Sequence, residues 1–108
     1  MNSVLEKPEG IPNEVYTKLL PEFLKEVDEG VLQIRQLFDM GKIDELKKVS
    51  HKIKGASASY GAKELEMICS FIEKTVEQID HNLINSLNEV FERTRLEANK
   101  LINRVGLN

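Results

Sequence analysis

From Phe23 onward the apolar residues recur at intervals of three and four, with Phe23, Leu24, Val27, Val31, Ile34, Leu37 and Phe38 on one stripe. That spacing predicts an amphipathic helix, which Met40-Gly41 ends. Pro21 suits its first turn, where a missing N–H costs nothing. A second helix is expected to begin around Lys42, with Asp44 and Glu45 at the positive end of its dipole. It turns Ile43, Leu46, Val49 and Ile53 inward and runs out at Tyr60-Gly61. A third uses Leu65, Ile68, Cys69, Ile72, Val76 and Ile79, and a fourth repeats Leu83, Leu87, Val90, Phe91, Thr94, Ala98, Leu101 and Val105. Ahead of these, a short helix is expected over residues 13–20. Pro8, Gly10 and Pro12 mark residues 1–11 as a flexible arm. No stretch sustains the period-2 alternation of a strand. The chain is therefore expected to be all-α: one domain over residues 12–108, an antiparallel up-down four-helix bundle with a short additional N-terminal helix.

Composition narrows the function. A chain of 108 residues, 41% hydrophobic and 31% charged, fits a single folded domain rather than a disordered one. Aromatics are 6% and Trp is absent, which argues against an aromatic-lined sugar or base-stacking groove. The longest apolar runs are two or three residues, too short to cross a membrane. The segment Met1-Asn2-Ser3-Val4-Leu5-Glu6-Lys7 has no export-signal pattern, so a cytoplasmic location is expected. Cys69, the one cysteine, has no partner for an internal disulfide, and no Cys/His cluster has metal-ligand spacing. It falls on the apolar stripe, as an inert buried thiol does.

Net charge is −3, and its distribution says more than its sum. Residues 1–41 carry four basic and eight acidic groups, and residues 64–108 five basic and eight acidic. Residues 42–63 carry six lysines against Asp44 and Glu45. A basic island in an acidic protein attracts an anion or an acidic partner surface. It is too small to make duplex DNA the first choice of ligand.

Catalytic templates are missing from the sequence: there is no Gly-rich phosphate loop, serine elbow, zinc-helix motif or calcium loop. The carboxylates fall on solvated helix faces. Two histidines remain. His81 falls in the link before the last helix, as a loop or capping residue. His51 lies within the second helix. With His51 at 0°, Ile43, Leu46, Val49 and Ile53 point to roughly 280°, 220°, 160° and 200°. Ser50, Ser57 and Tyr60 share that arc, Ser57 as a small packing residue. The buried direction is near 215°, so His51 points about 145° away from it, towards water. Gly55 and Ala58 leave the helix bare on its C-terminal side, and Lys47, Lys48 and Lys54 surround it. Lys42, Lys52 and Lys63 are solubilising charge. An exposed imidazole on a rigid helix is a usable nucleophile near neutral pH. The bare surface lets a second protein approach, and Lys54 stands where it can neutralise a phosphoryl group. Gly55 in mid-helix costs about 1 kcal/mol relative to Ala.

At these residues the sequence resembles the histidine-containing phosphotransfer (HPt) domain of two-component phosphorelays. The resemblance is carried by Ser50-His51-Lys52-Ile53-Lys54-Gly55-Ala56-Ser57-Ala58-Ser59-Tyr60-Gly61-Ala62. The family shows a small residue and His, then x-hydrophobic-Lys-Gly, a Ser-containing small-residue run, and hydrophobic-Gly-Ala. The helix break at Met40-Gly41 and the later Leu65, Cys69 and Ile72-Glu73 are also similar. Ala56 stands where Ser is common, and Lys42 where Asp often begins the helix.

The resemblance implies a phosphoryl carrier; a stand-alone module is expected, with no ATP-binding region in the sequence and, for want of a strong exposed apolar seam, a monomer. His51 would accept the phosphoryl group on the ring nitrogen distal to the backbone, with Lys54 beside it. Gly55, Ala58, Lys47 and Lys48 would face the docking partner. Partners would be receiver domains of response regulators or hybrid kinases, which bring the phospho-aspartate and the Mg²⁺. No cofactor or metal site is then expected on this chain, nor a nucleic acid or membrane partner. A different class remains open: a non-catalytic bundle that docks an acidic partner without phosphorylation.

Overall fold

The computed structural model describes residues 4–75 and 78–106, with side chains described through residue 104. Four helices follow in order: α1 (Asn13–Asp39), α2 (Ile43–Tyr60), α3 (Lys63–Lys74) and α4 (His81–Gly106). No strand occurs among the described residues. Each helix packs on the next and α1 closes against α4, so the short links produce an up-down bundle with one core. Its long dimension is 47 Å against 23 and 21 Å across. The centre is filled by fully buried Leu20, Phe23, Val27, Ile34, Leu46, Leu65, Ile72, Leu87 and Phe91. Thr94 is also buried in α4, and its hydroxyl donates to the Val90 carbonyl at 2.9 Å, so no donor is stranded.

Three expectations are corrected. The short N-terminal helix is not separate: α1 runs unbroken for 27 residues with Pro21 inside it. Proline in a helix interior costs about 3 kcal/mol. Here Tyr16, Leu20, Phe23, Val27, Val31, Ile34 and Leu37 form one continuous buried stripe on both sides of it. Tertiary burial of that stripe outweighs the local penalty, and Pro21 itself is exposed. Second, α3 ends at Lys74, so Ile79 enters the core from the α3–α4 link rather than from a helix. Val76 and the side chain of Val105 lie outside the described residues. Third, His81 is the first residue of α4, and Asp80 precedes it as the cap, accepting the Leu83 N–H at 2.9 Å. The His81 ring stands edge-on to Phe38 with centroids 4.9 Å apart.

Part of the segment expected to be a flexible arm is packed, around Leu5 and Glu6. Leu5 is buried, and the Glu6 N–H donates to the Gly61 carbonyl at 3.0 Å. Glu6 also pairs with Lys63 at 3.1 Å, and Lys7 donates to the Ile11 carbonyl. Beside this strap, the Tyr16 hydroxyl donates to the Tyr60 carbonyl at 2.6 Å. Burial, with the neighbouring Tyr60, pushes the Tyr16 hydroxyl up to about 12, so it remains a donor. Gly61 makes the crossing feasible. It takes φ +73° to end α2, and a Cβ there would sit 1.8 Å from the Glu6 carbonyl oxygen.

Gly41→Ala and Gly61→Ala separate backbone strain from steric exclusion. Gly41 has φ +71° and nothing within 4 Å of its Cβ position. Its substitution is expected to lower stability in urea by about 1–2 kcal/mol, the cost of a left-handed alanine. Gly61→Ala is expected to cost clearly more and to expose the strap to limited proteolysis. Equal losses for the two variants, with the strap still protected, would show that the crossing contributes nothing.

Candidate functional site

Burial fixes the rotation of α2. Leu46, Ser50, Ile53 and Ser57, spaced four, three and four apart, are its buried residues. Ser50 and Ser57 are fully buried, and their hydroxyls have no hydrogen-bond partner among the described residues. Small size, not hydrogen bonding, is what the packing takes from them. The opposite face carries His51, whose side chain is 66% exposed, as the sequence pattern predicts.

Across from it stands Glu73, in the last turn of α3. One carboxylate oxygen lies 2.6 Å from His51 Nδ1, and the other lies 2.6 Å from Lys54 Nζ. A carboxylate only accepts, so the proton of the neutral ring sits on Nδ1 and the Nε2 lone pair is left free. The imidazole is thereby fixed in one tautomer and one ring orientation. Lys54 and Glu73 are each about one-quarter exposed, which makes their pair less open to water than the histidine beside it. The hydrogen bond from Lys54 holds the Glu73 carboxyl below its ordinary value of 4.5. Desolvation opposes that shift, and the hydrogen bond and charge of His51 reinforce it.

The structure brings His51 and Lys54 together on one carboxylate. Lys47, Lys48, His51 and Glu73 line a shallow open depression. Their roles within it differ. Lys48 is exposed, whereas the half-buried Lys47 ammonium donates to the Thr75 carbonyl at 2.5 Å. Gly55 and Ala58 are exposed on the bare side of the helix, and a Cβ at Gly55 would meet nothing within 4 Å. Ser59 bonds back to the Gly55 carbonyl at 3.1 Å. Lys42 and Lys52 point to water, while Lys63 joins Glu6 in an exposed pair of the kind worth little. Cys69 is fully buried, and burial pushes its thiol up to about 12. Among the described residues no group of His, Cys, Asp and Glu side chains could hold a metal ion.

Glu73 is the member of this cluster that reasoning from charge and spacing passes over. With the third helix extended to Ile79, it looked like one more solvated mid-helix carboxylate. At its true position a glutamate opposes the helix dipole, which favours cations at a C-terminus. Two lysines of α2 compensate, Lys54 on the carboxylate itself and Lys47 on the adjacent Thr75 carbonyl.

The Hpt domain model matches residues 18–103, a span that takes in α2 and α3 entire, most of α1 and α4, and the whole of this site. The chain belongs to the Hpt domain family. Hpt domains are phosphocarrier modules of two-component systems rather than enzymes in the ordinary sense, and response-regulator receivers are the partners the family points to. Neither the curated proteins nor the solved structures gave a match. No helix of this Hpt domain, among its described residues, is long and apolar enough to cross a membrane.

The Glu73 bridge carries a pH signature. Folding lowers this carboxyl's pKa, so its contribution is complete above the unfolded-state value and is lost as pH falls through the folded value. Wild type is expected to be more stable than Glu73→Gln at neutral pH. The gap should close in urea titrations taken down to about pH 2. A gap that does not change with pH would show that the ionised bridge adds nothing to the fold.

Proposed function

We propose that this Hpt domain carries a phosphoryl group on Nε2 of His51 and relays it between aspartates of receiver domains. The observation that carries the proposal is the bond between His51 Nδ1 and Glu73. It leaves an outward-facing lone pair on an exposed ring held by a packed helix. In the transfer, Nε2 bonds to phosphorus as the bond to the aspartyl oxygen breaks, and the receiver's carboxylate leaves. The ring gains positive charge while its Nδ1–H stays on Glu73, whose negative charge meets it in place. Lys54, three residues along the helix, stands ready to pair with phosphoryl oxygens. Gly55 and Ala58 keep the approach low, so that the two reacting side chains can align. Mg²⁺ would come on the receiver, and the domain would need neither ATP nor a metal of its own.

Incubation with a phosphorylated receiver and Mg²⁺ is expected to label the domain with acid-labile, base-stable phosphate. His51→Gln should keep the fold, as judged by circular dichroism, and lose the label entirely. Label retained at full rate in that variant would exclude His51 as the acceptor. Lys54→Ala should slow transfer about tenfold or shorten the phosphorylated state's lifetime correspondingly. Unchanged kinetics would reduce Lys54 to a structural partner of Glu73.

A further inference from the structure

Lys47 lies one turn before His51 on α2, and among the described residues its ammonium bonds to a main-chain carbonyl rather than to a carboxylate. It is half-buried and donates to the main-chain carbonyl of Thr75 at 2.5 Å. Thr75 ends α3: it is extended (φ −68°, ψ 135°), and its N–H closes the last turn on the Phe71 carbonyl at 2.9 Å. Glu73 belongs to that same last turn.

Helix ends are held less firmly than helix middles, because their last carbonyls lack partners within the helix. The direction of a side chain in the final turn therefore depends on what holds the end. For α3, part of the hold comes from outside. Lys47, His51 and Lys54 form one line on α2, four and three residues apart, the spacing of side chains on one helix face. All three are fastened to α3, Lys47 to backbone and the other two to Glu73. The carboxylate of Glu73 and the carbonyl end of α3 repel each other, and Lys47 brings positive charge to that end. Without it, the last turn loses its backbone tether to α2 and part of its electrostatic compensation.

We infer that Lys47 is a positioning residue: it pins the C-terminal end of α3 so that Glu73 holds the His51 imidazole with Nε2 free. The inference rests on the proposal that His51 carries the phosphoryl group. It assigns Lys47 inside the domain, in contrast to the partner-facing role that its position on the basic island suggests. Of the two lysines on this rim, Lys48 is the one left exposed.

The test needs a readout independent of any partner. Long-range ¹H–¹⁵N spectra report which imidazole nitrogen carries the proton, and phosphoramidate is a small donor that requires no docking. Its P–N bond to ammonia breaks as the bond to Nε2 forms. In wild type the His51 signals are expected to show the Nδ1–H tautomer. In Lys47→Met that preference should weaken, and labelling by phosphoramidate should slow about threefold to tenfold, as expected for lost alignment rather than lost chemistry. Lys47→Arg, which keeps a cationic donor within reach of the carbonyl, should restore most of both. A folded Lys47→Met with unchanged His51 signals overturns the inference. So does a loss confined to receiver-driven transfer, which returns Lys47 to the docking face. If wild-type protein takes no label at all, the phosphohistidine reading fails, and the tautomer comparison alone decides the role of Lys47.

Discussion

The site depends on the rotational phase of α2. A helix that buries Leu46, Ser50, Ile53 and Ser57 has no freedom to choose what it shows on the other side. Slipping the sequence by one residue turns every side chain by about 100°. That would drive His51 towards the core and pull Ile53 into water. The apolar stripe therefore specifies both the packing and the exposure of the imidazole. Placing the imidazole on a packed helix rather than a loop gives it a fixed origin, so its position does not depend on ordering a loop.

Rotation alone does not orient the ring, and here the fold accepts a local conflict. Glutamate in the last turn of a helix works against the helix dipole, at a cost of about 0.3–1 kcal/mol at an exposed site. Its compensation comes mainly from α2, through Lys54 on the carboxylate and Lys47 on the adjacent carbonyl. The result is a junction where neither helix is locally at its best and the pair is complementary. Such a conflict with local preference is what functional positions commonly show. The carboxylate does two things at once. It selects the Nδ1–H tautomer before any reaction, and it is already in place for the positive charge that a bond at Nε2 puts on the ring.

What the sequence makes legible follows from range. The face of α2, the exposure of His51 and the helix ends at Gly41 and Gly61 are local properties, and the pattern of residues states them correctly. Pro21 misleads because its local cost is real, but the stripe from Tyr16 to Leu37 is long enough to overrule it. The packed strap at Leu5 and Glu6 is hidden for the opposite reason. Prolines and glycine mark irregular backbone, and irregular backbone can still pack. Glu73 is hidden twice, by a pairing partner 22 residues away and by a helix end that the apolar Ile79 seemed to postpone.

The bare stretch beyond His51 gives a final constraint on what α2 is shaped for. Gly55 has no intramolecular justification, because a Cβ there would touch nothing and the backbone does not require glycine. Mid-helix glycine still destabilises by about 1 kcal/mol relative to alanine. A missing side chain that relieves no contact inside the molecule leaves room outside it. Ala58, exposed one turn further on, extends the same cleared strip. The surface is thus low beside His51, and the bonds that orient its ring lie in the α2–α3 junction.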